Sequence, residues 1–125
     1  MSLKKYTKDH EWIEVNDEIA TIGITDHAQE SLGDIVFVEL PNIGDNFKAG
    51  AEVSVVESVK AASDIYIPVD GEILEINNKL SEQADLINQK AETEGWIFKI
   101  KISNSIQLED LMDHSDYEEF LGKEK

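Results

Sequence analysis

The chain has no cysteine and no arginine. Without cysteine it can form no disulfide, thiolate metal site or cysteine nucleophile, and it has no thiol of its own for redox or acyl chemistry. Any reactive sulfur must be brought in from outside. Without arginine, all eleven basic residues are lysines, set against 27 acidic residues for a formal net charge of −16. Such a surface repels nucleic acid and anionic membranes, so neither is expected as a partner. It favours a soluble monomer and encounters with basic protein surfaces. No apolar run nears the ~20 residues that span a bilayer. Met1–Lys5 has charge but no apolar stretch, so no secretory leader is expected.

What is present reads as one domain built mostly of strands. Its 125 residues suit a single core, with 41 % apolar and 30 % charged residues as in ordinary folded chains. The expected division is a tail at 1–5, a β unit at 6–103 and a helical appendage at 104–125. Trp12–Val15 and Ile19–Ile24 form a hairpin pattern across Asn16-Asp17. Asp26 to Gly33 predicts a short helix, with Asp26 as N-cap, Gln29 at the capping-box position and Gly33 as the stop. Ile35–Leu40 is a strand pattern ending at Pro41. Glu72–Ile76 and the short run Leu86–Asn88 also read as strands, with Asp70-Gly71 as a turn signal between hairpin arms. Trp96, Phe98, Ile100 and Ile102 alternate with Ile97, Lys99 and Lys101, as on a half-buried strand. Leu108, Leu111 and Met112, then Tyr117, Phe120 and Leu121, recur at helical spacing, and Ser115 with Glu118 has capping-box spacing. Two short C-terminal helices covering the β core are therefore expected. The fold class is mainly β, a small barrel or sandwich.

Lys60 lies between two β-rich arms, Val53–Val56 and Asp64–Val69, inside a connector of small residues. An exposed amine on a four-carbon stem is a poor core residue but a good attachment point. Val59 and Ala61 supply no base, and nothing beside Lys60 desolvates it, so Schiff-base catalysis is not expected there. The chain shows no nucleophile–base pair and no phosphate loop, and His10, His27 and His114 lack metal-ligand spacing. A carrier rather than an enzyme is expected, with no metal.

Gly44, Glu57, Lys60 and Gly71 stand at −16, −3, 0 and +11 relative to the lysine. With Glu57-Ser58-Val59-Lys60-Ala61-Ala62-Ser63-Asp64 through Gly71, this region resembles the lipoyl-attachment region of the glycine cleavage system H proteins. Further segments agree: His10-Glu11-Trp12, Ala20 to Gln29, Gly33 to Pro41, Glu94-Gly95-Trp96 and the acidic helical end. The resemblance runs from about Tyr6 to Leu121.

This resemblance implies lipoate in amide linkage on Lys60, at a hairpin tip of a barrel-sandwich hybrid of two sheets. It implies a shuttle between a pyridoxal-phosphate glycine decarboxylase (P protein) and a tetrahydrofolate-dependent aminomethyltransferase (T protein). A dihydrolipoyl dehydrogenase (L protein) would reoxidise the arm, and a lipoate ligase or a lipoyl/octanoyl transferase would attach it. Both sulfurs would then arrive with lipoate, which accounts for the missing cysteine. Glu57 is expected to be read by the attaching enzyme. Gly71 and Gly44 are expected as turn glycines with φ > 0 that help frame the lysine. Glu11 is the candidate polar wall for the loaded arm, against the alternative of an ordinary exposed glutamate. The chain would work in the cytoplasm if bacterial, or in the mitochondrial matrix if a processed eukaryotic protein.

Two departures from the family pattern are Ser31, where a larger polar residue is usual, and Gln89–Thr93, which replaces a turn with proline and tyrosine. A free lipoyl domain of a 2-oxo-acid dehydrogenase would show Asp-Lys-Ala at the tip, and a biotin carrier would flank the lysine with methionines; neither is present. An H-like relay that donates lipoyl groups to 2-oxo-acid dehydrogenases would use the same lysine.

Overall fold

The computed structural model describes residues 3–123. Among the described residues, nine strands form two sheets. The larger is ordered β1 (Leu3–Tyr6), β2 (Glu11–Asn16), β3 (Ile19–Ile24), β9 (Phe98–Ile102), β8 (Gly71–Ile76), β5 (Asn46–Phe47). The smaller is ordered β4 (Ile35–Glu39), β6 (Glu52–Ser58), β7 (Ala62–Tyr66). All pairings within the two sheets are antiparallel. The sheets face each other across one apolar core, in the barrel-sandwich arrangement. Ile13, Ile22 and Ile73 come from the larger sheet, and Ile35, Val38, Val56 and Ile65 from the smaller. Period-two alternation puts these side chains inward and leaves charged residues outside.

The β2–β3 hairpin turns at Asp17, whose φ of 56° is a conformation that Asx residues tolerate. Helix α1 (Asp26–Leu32) follows. Its N-cap is Thr25, not Asp26: the Thr25 hydroxyl accepts from the Ala28 N–H, so Gln29 does not stand at the capping-box position. Gly33 ends the helix at φ 83°.

Several other expectations are corrected. Residues 3–5 belong to β1 rather than to a tail, because Leu3–Tyr6 pairs with Trp12–Val15; residues 1 and 2 lie outside the described residues. Leu86–Asn88 is not a strand. It lies in helix α3 (Leu86–Lys90), which follows the single turn of α2 (Lys79–Glu82). A three-residue apolar-polar run fits either element. Here the choice is made by burial of Leu86 and Ile87 on one helical side. The first C-terminal helix is a 3-10 turn, Ser105–Asp110. The second, α4 (His114–Lys123), starts one residue before Ser115, and Asp113 caps it by accepting from the Asp116 N–H at 2.8 Å.

Helix α4 covers a second, smaller cluster in which Tyr117 stacks on Tyr6 at 4.8 Å beside Trp12. Trp12 also donates its indole N–H to the Ala91 carbonyl. Gly23 opposite leaves room for that indole, since a Cβ there would stand 2.9 Å from it.

Candidate functional site

Lys60 stands at the tip of the β6–β7 hairpin, and the tip is held by its own residues. The Ser58 N–H donates to the Ala61 carbonyl at 2.7 Å, closing the turn across Val59 and Lys60. The Ser58 hydroxyl donates to the same carbonyl and accepts from the Lys60 and Ala61 N–H groups at 3.3 and 3.1 Å. A serine side chain thus satisfies amides that an exposed turn would otherwise leave to water.

The tip is also fastened from outside the hairpin. The Val59 N–H donates to the Asp34 carbonyl at 3.0 Å. Asn88 fixes that segment: its Oδ1 accepts from the Ile35 N–H at 2.8 Å, and its Nδ2 donates to the Gly33 carbonyl and to Gln29 Oε1 at 2.9 and 3.0 Å. Sequence reading missed this role. The partners of Asn88 lie 53 to 59 residues away, so no local spacing signals it.

The Lys60 side chain runs back toward Gly33. Its Cε lies 3.7 Å from the place a Gly33 Cβ would take. Among the described residues its ammonium has no hydrogen bond or ion pair. Glu57 stands on the outer face of the same hairpin, exposed, with Phe37 across from it on β4 and Ala62 on β7. Lys60 and Glu57 are therefore brought together.

Gly44 and Gly71 are brought together elsewhere, around β8 in the larger sheet. Gly44 has the expected positive φ, 96°, and its N–H donates to the Ile73 carbonyl at 2.8 Å. Gly71 does not have a positive φ and is not a turn residue. It opens β8, where a Cβ would meet Ile100 Cδ1 at 2.8 Å and the Lys101 carbonyl at 2.9 Å. Its smallness serves close packing on β9. Nor is it a hairpin partner of Lys60, because β7 pairs with β6 while β8 pairs with β9 and β5. Asp70 does not make a tight turn either. Its carboxylate accepts from the Ala49 N–H at 2.7 Å and from the Gln107 amide, which hold it below the usual carboxylate range.

Glu11 is neither an open polar wall nor an ordinary exposed glutamate. It is 1 % exposed. One oxygen accepts from the Tyr66 N–H at 2.8 Å and the other from the Thr7 hydroxyl at 3.1 Å, so it bridges β2 to the far end of β7. Burial pushes its carboxyl up to about 7, against the pull of those two hydrogen bonds.

His27 lies in α1, its ring 4.6 Å from that of His10, and His10 Nδ1 is 2.8 Å from the Tyr117 hydroxyl. His114 faces Glu118 at 3.4 Å on α4. These rings serve the seating of α4. Of the two departures, Ser31 is exposed on α1, and Gln89–Thr93 closes α3. Within that closing stretch Glu92 pairs with Lys4 and accepts from the Asp26 N–H at the start of α1.

A family model described as glycine cleavage H-protein matches residues 4–124. The glycine cleavage system H protein of Thermotoga maritima is 52 % identical over 124 residues, covering 99 % of this chain and all of that one. That of Bartonella tribocorum is 50 % identical over 122 residues, covering 98 % of this chain and all of that one. The crystal structure of a glycine cleavage system H protein from Mycobacterium marinum superimposes with a TM-score of 0.86 at 33 % identity, covering 97 % of this chain and 95 % of that one. With an exposed lysine on a braced hairpin of a barrel-sandwich, the chain belongs to the glycine cleavage H-protein family, the lipoyl carriers of glycine cleavage.

Proposed function

We propose that Lys60 is the lipoylated residue, and that the protein shuttles a one-carbon amine among the glycine cleavage enzymes. The observation that carries this reading is the tip itself: an exposed amine, unpartnered among the described residues, on a turn braced by Ser58, Asp34 and Asn88. The residues present fit lipoate. Gly33 leaves the lysine stem an open path, and the small neighbours Ser58, Ala61 and Ala62 do not crowd the amine. When bound, lipoate supplies a dithiolane that can take up a one-carbon amine, release it and be reoxidised.

The chain's own part is presentation. The braced turn gives the arm a fixed root, so its reach is set by the lysine stem and not by a wandering loop. Amide formation removes one positive charge, taking the formal net charge from −16 to −17. Such a carrier is steered to basic enzyme surfaces and leaves them readily.

The partners of this reading are glycine decarboxylase, aminomethyltransferase, dihydrolipoyl dehydrogenase and a lipoate ligase or lipoyl/octanoyl transferase. Glycine–bicarbonate exchange with purified partner enzymes tests it. The lipoylated wild type is expected to support exchange and Lys60→Ala to support none; exchange by Lys60→Ala would sink the assignment.

A further inference from the structure

The outer face of the lysine-bearing sheet carries apolar side chains where alternation calls for polar ones. Phe37 is 51 % exposed, Val36 58 % and Val59 69 %. A β-bulge produces this. Ile35 pairs with Ser58 and Phe37 with Glu57, so Val36 is an extra residue and two consecutive apolar side chains face solvent. Val59 is drawn alongside by its hydrogen bond to the Asp34 carbonyl. The patch borders the Lys60 turn on the side of β4.

Its rim is acidic. Asp34, Glu39, Glu57 and Asp64 are all exposed around it, and no lysine lies on β4, β6 or β7. An exposed aromatic and two valines ringed by carboxylates have the make-up of an interface anchor with a charged border. The complementary surface is an apolar hollow rimmed by lysine or arginine.

We propose that this patch is the docking surface for the enzyme that acylates Lys60, which rests on the reading of Lys60 as the lipoylated residue. Proximity selects that partner. In the acylation step the reacting atom is Lys60 Nζ itself, one side-chain length from the turn that Val59 shares. The deprotonated amine attacks the acyl carbon of a lipoyl adenylate made from lipoate and ATP. The C–N bond forms, the acyl C–O bond to AMP breaks, AMP leaves, and the amine proton passes to solvent. The acylating enzyme must therefore cover the tip, and with it Val36 and Phe37. Enzymes acting later meet the arm at its far end and need not touch β4. Phe37 is half exposed across from Glu57 and lies outside the core cluster.

The test uses the full apo chain with a purified lipoate–protein ligase, lipoate and ATP, following acylation against carrier concentration. The double variant V36S/F37S is expected to raise KM at least tenfold with kcat within about twofold, and an unchanged melting curve. F37L, which keeps an apolar anchor, is expected to restore KM to within about threefold of wild type. Wild-type KM is expected to rise with ionic strength. A wild-type KM for V36S/F37S overturns the proposal. So does normal acylation of the variant with slowed glycine–bicarbonate exchange, which would assign the patch to a later enzyme. Absence of any lipoyl mass on wild-type Lys60 would instead bring down the carrier reading and this one with it.

Discussion

At the Ala62 end of β7, Lys60 is exposed and its ammonium meets no partner among the described residues. At the Tyr66 end, Glu11 is 1 % exposed and both carboxyl oxygens are bonded. One strand thus joins a charge left available to a charge held inside. The available one costs the fold little, because water solvates it and the bonds that define its turn, from the backbone and the Ser58 hydroxyl, make no demand on the ammonium. The buried one costs folding energy, because desolvation of the carboxylate outweighs the two hydrogen bonds it accepts. A carrier needs its attachment point uncommitted, whereas the opposite end must anchor the strand against the larger sheet.

Glu11→Gln probes the buried end and has the largest expected effect. The native carboxyl, at about 7, lies above its ordinary value of 4.5, so between these values the folded state binds the proton and the unfolded state does not. Stability from this group is complete below 4.5 and is lost as pH rises through 7. A glutamine can keep both bonds, accepting from Tyr66 and donating to the Thr7 hydroxyl oxygen. Urea unfolding at a series of pH values should show wild type losing about 3 kcal/mol relative to Glu11→Gln across that window. A pH-independent difference would remove the buried-charge account.

Gly71→Ala comes next. Its new Cβ would press on Ile100 and on the Lys101 carbonyl, and overpacking of this kind costs about 2–3 kcal/mol. Thermal melts should shift down. Acylation of the folded fraction should not change, because Gly71 packs on β9 and not on the Lys60 turn. A folded Gly71→Ala protein that resists acylation would restore Gly71 to the recognition frame.

At the tip, Asn88→Ala removes three partners at once and should cost about 2 kcal/mol, with faster hydrogen exchange at Ile35 and Val59. Ser58→Ala is the smallest change, about 1 kcal/mol or less, read as faster exchange of the Lys60 and Ala61 amides. If neither variant altered exchange at the tip, the bracing argument would fail.

The sequence made the strands legible where β-rich runs flanked a turn, as in Trp12–Val15 and Ile19–Ile24, or where period two ran unbroken, as in Phe98–Ile102. It also marked the Lys60 hairpin, since small residues between two β-branched arms have few other uses. The Leu86–Asn88 run was misread because three residues cannot distinguish a period of 2.0 from 3.6. Gly71 looked like a turn glycine because Asp-Gly is a turn pair. The Cβ contacts that explain it lie on β9, about thirty residues along the chain, beyond any local pattern. Glu11 hid for the same reason. A glutamate at a strand start reads as exposed until β7, brought over it by the fold, takes its oxygen. The bulge at Val36 was equally invisible, because Ile-Val-Phe-Val reads as an ordinary buried strand.

The most direct test of the central claim is the intact mass and peptide map of the protein after incubation with lipoate, ATP and a lipoate ligase, beside Lys60→Ala. The account predicts a gain of one lipoyl group, mapped to Lys60, and no gain in the variant. A wild type that gains nothing, or a Lys60→Ala protein that gains the same mass on another lysine, would contradict it.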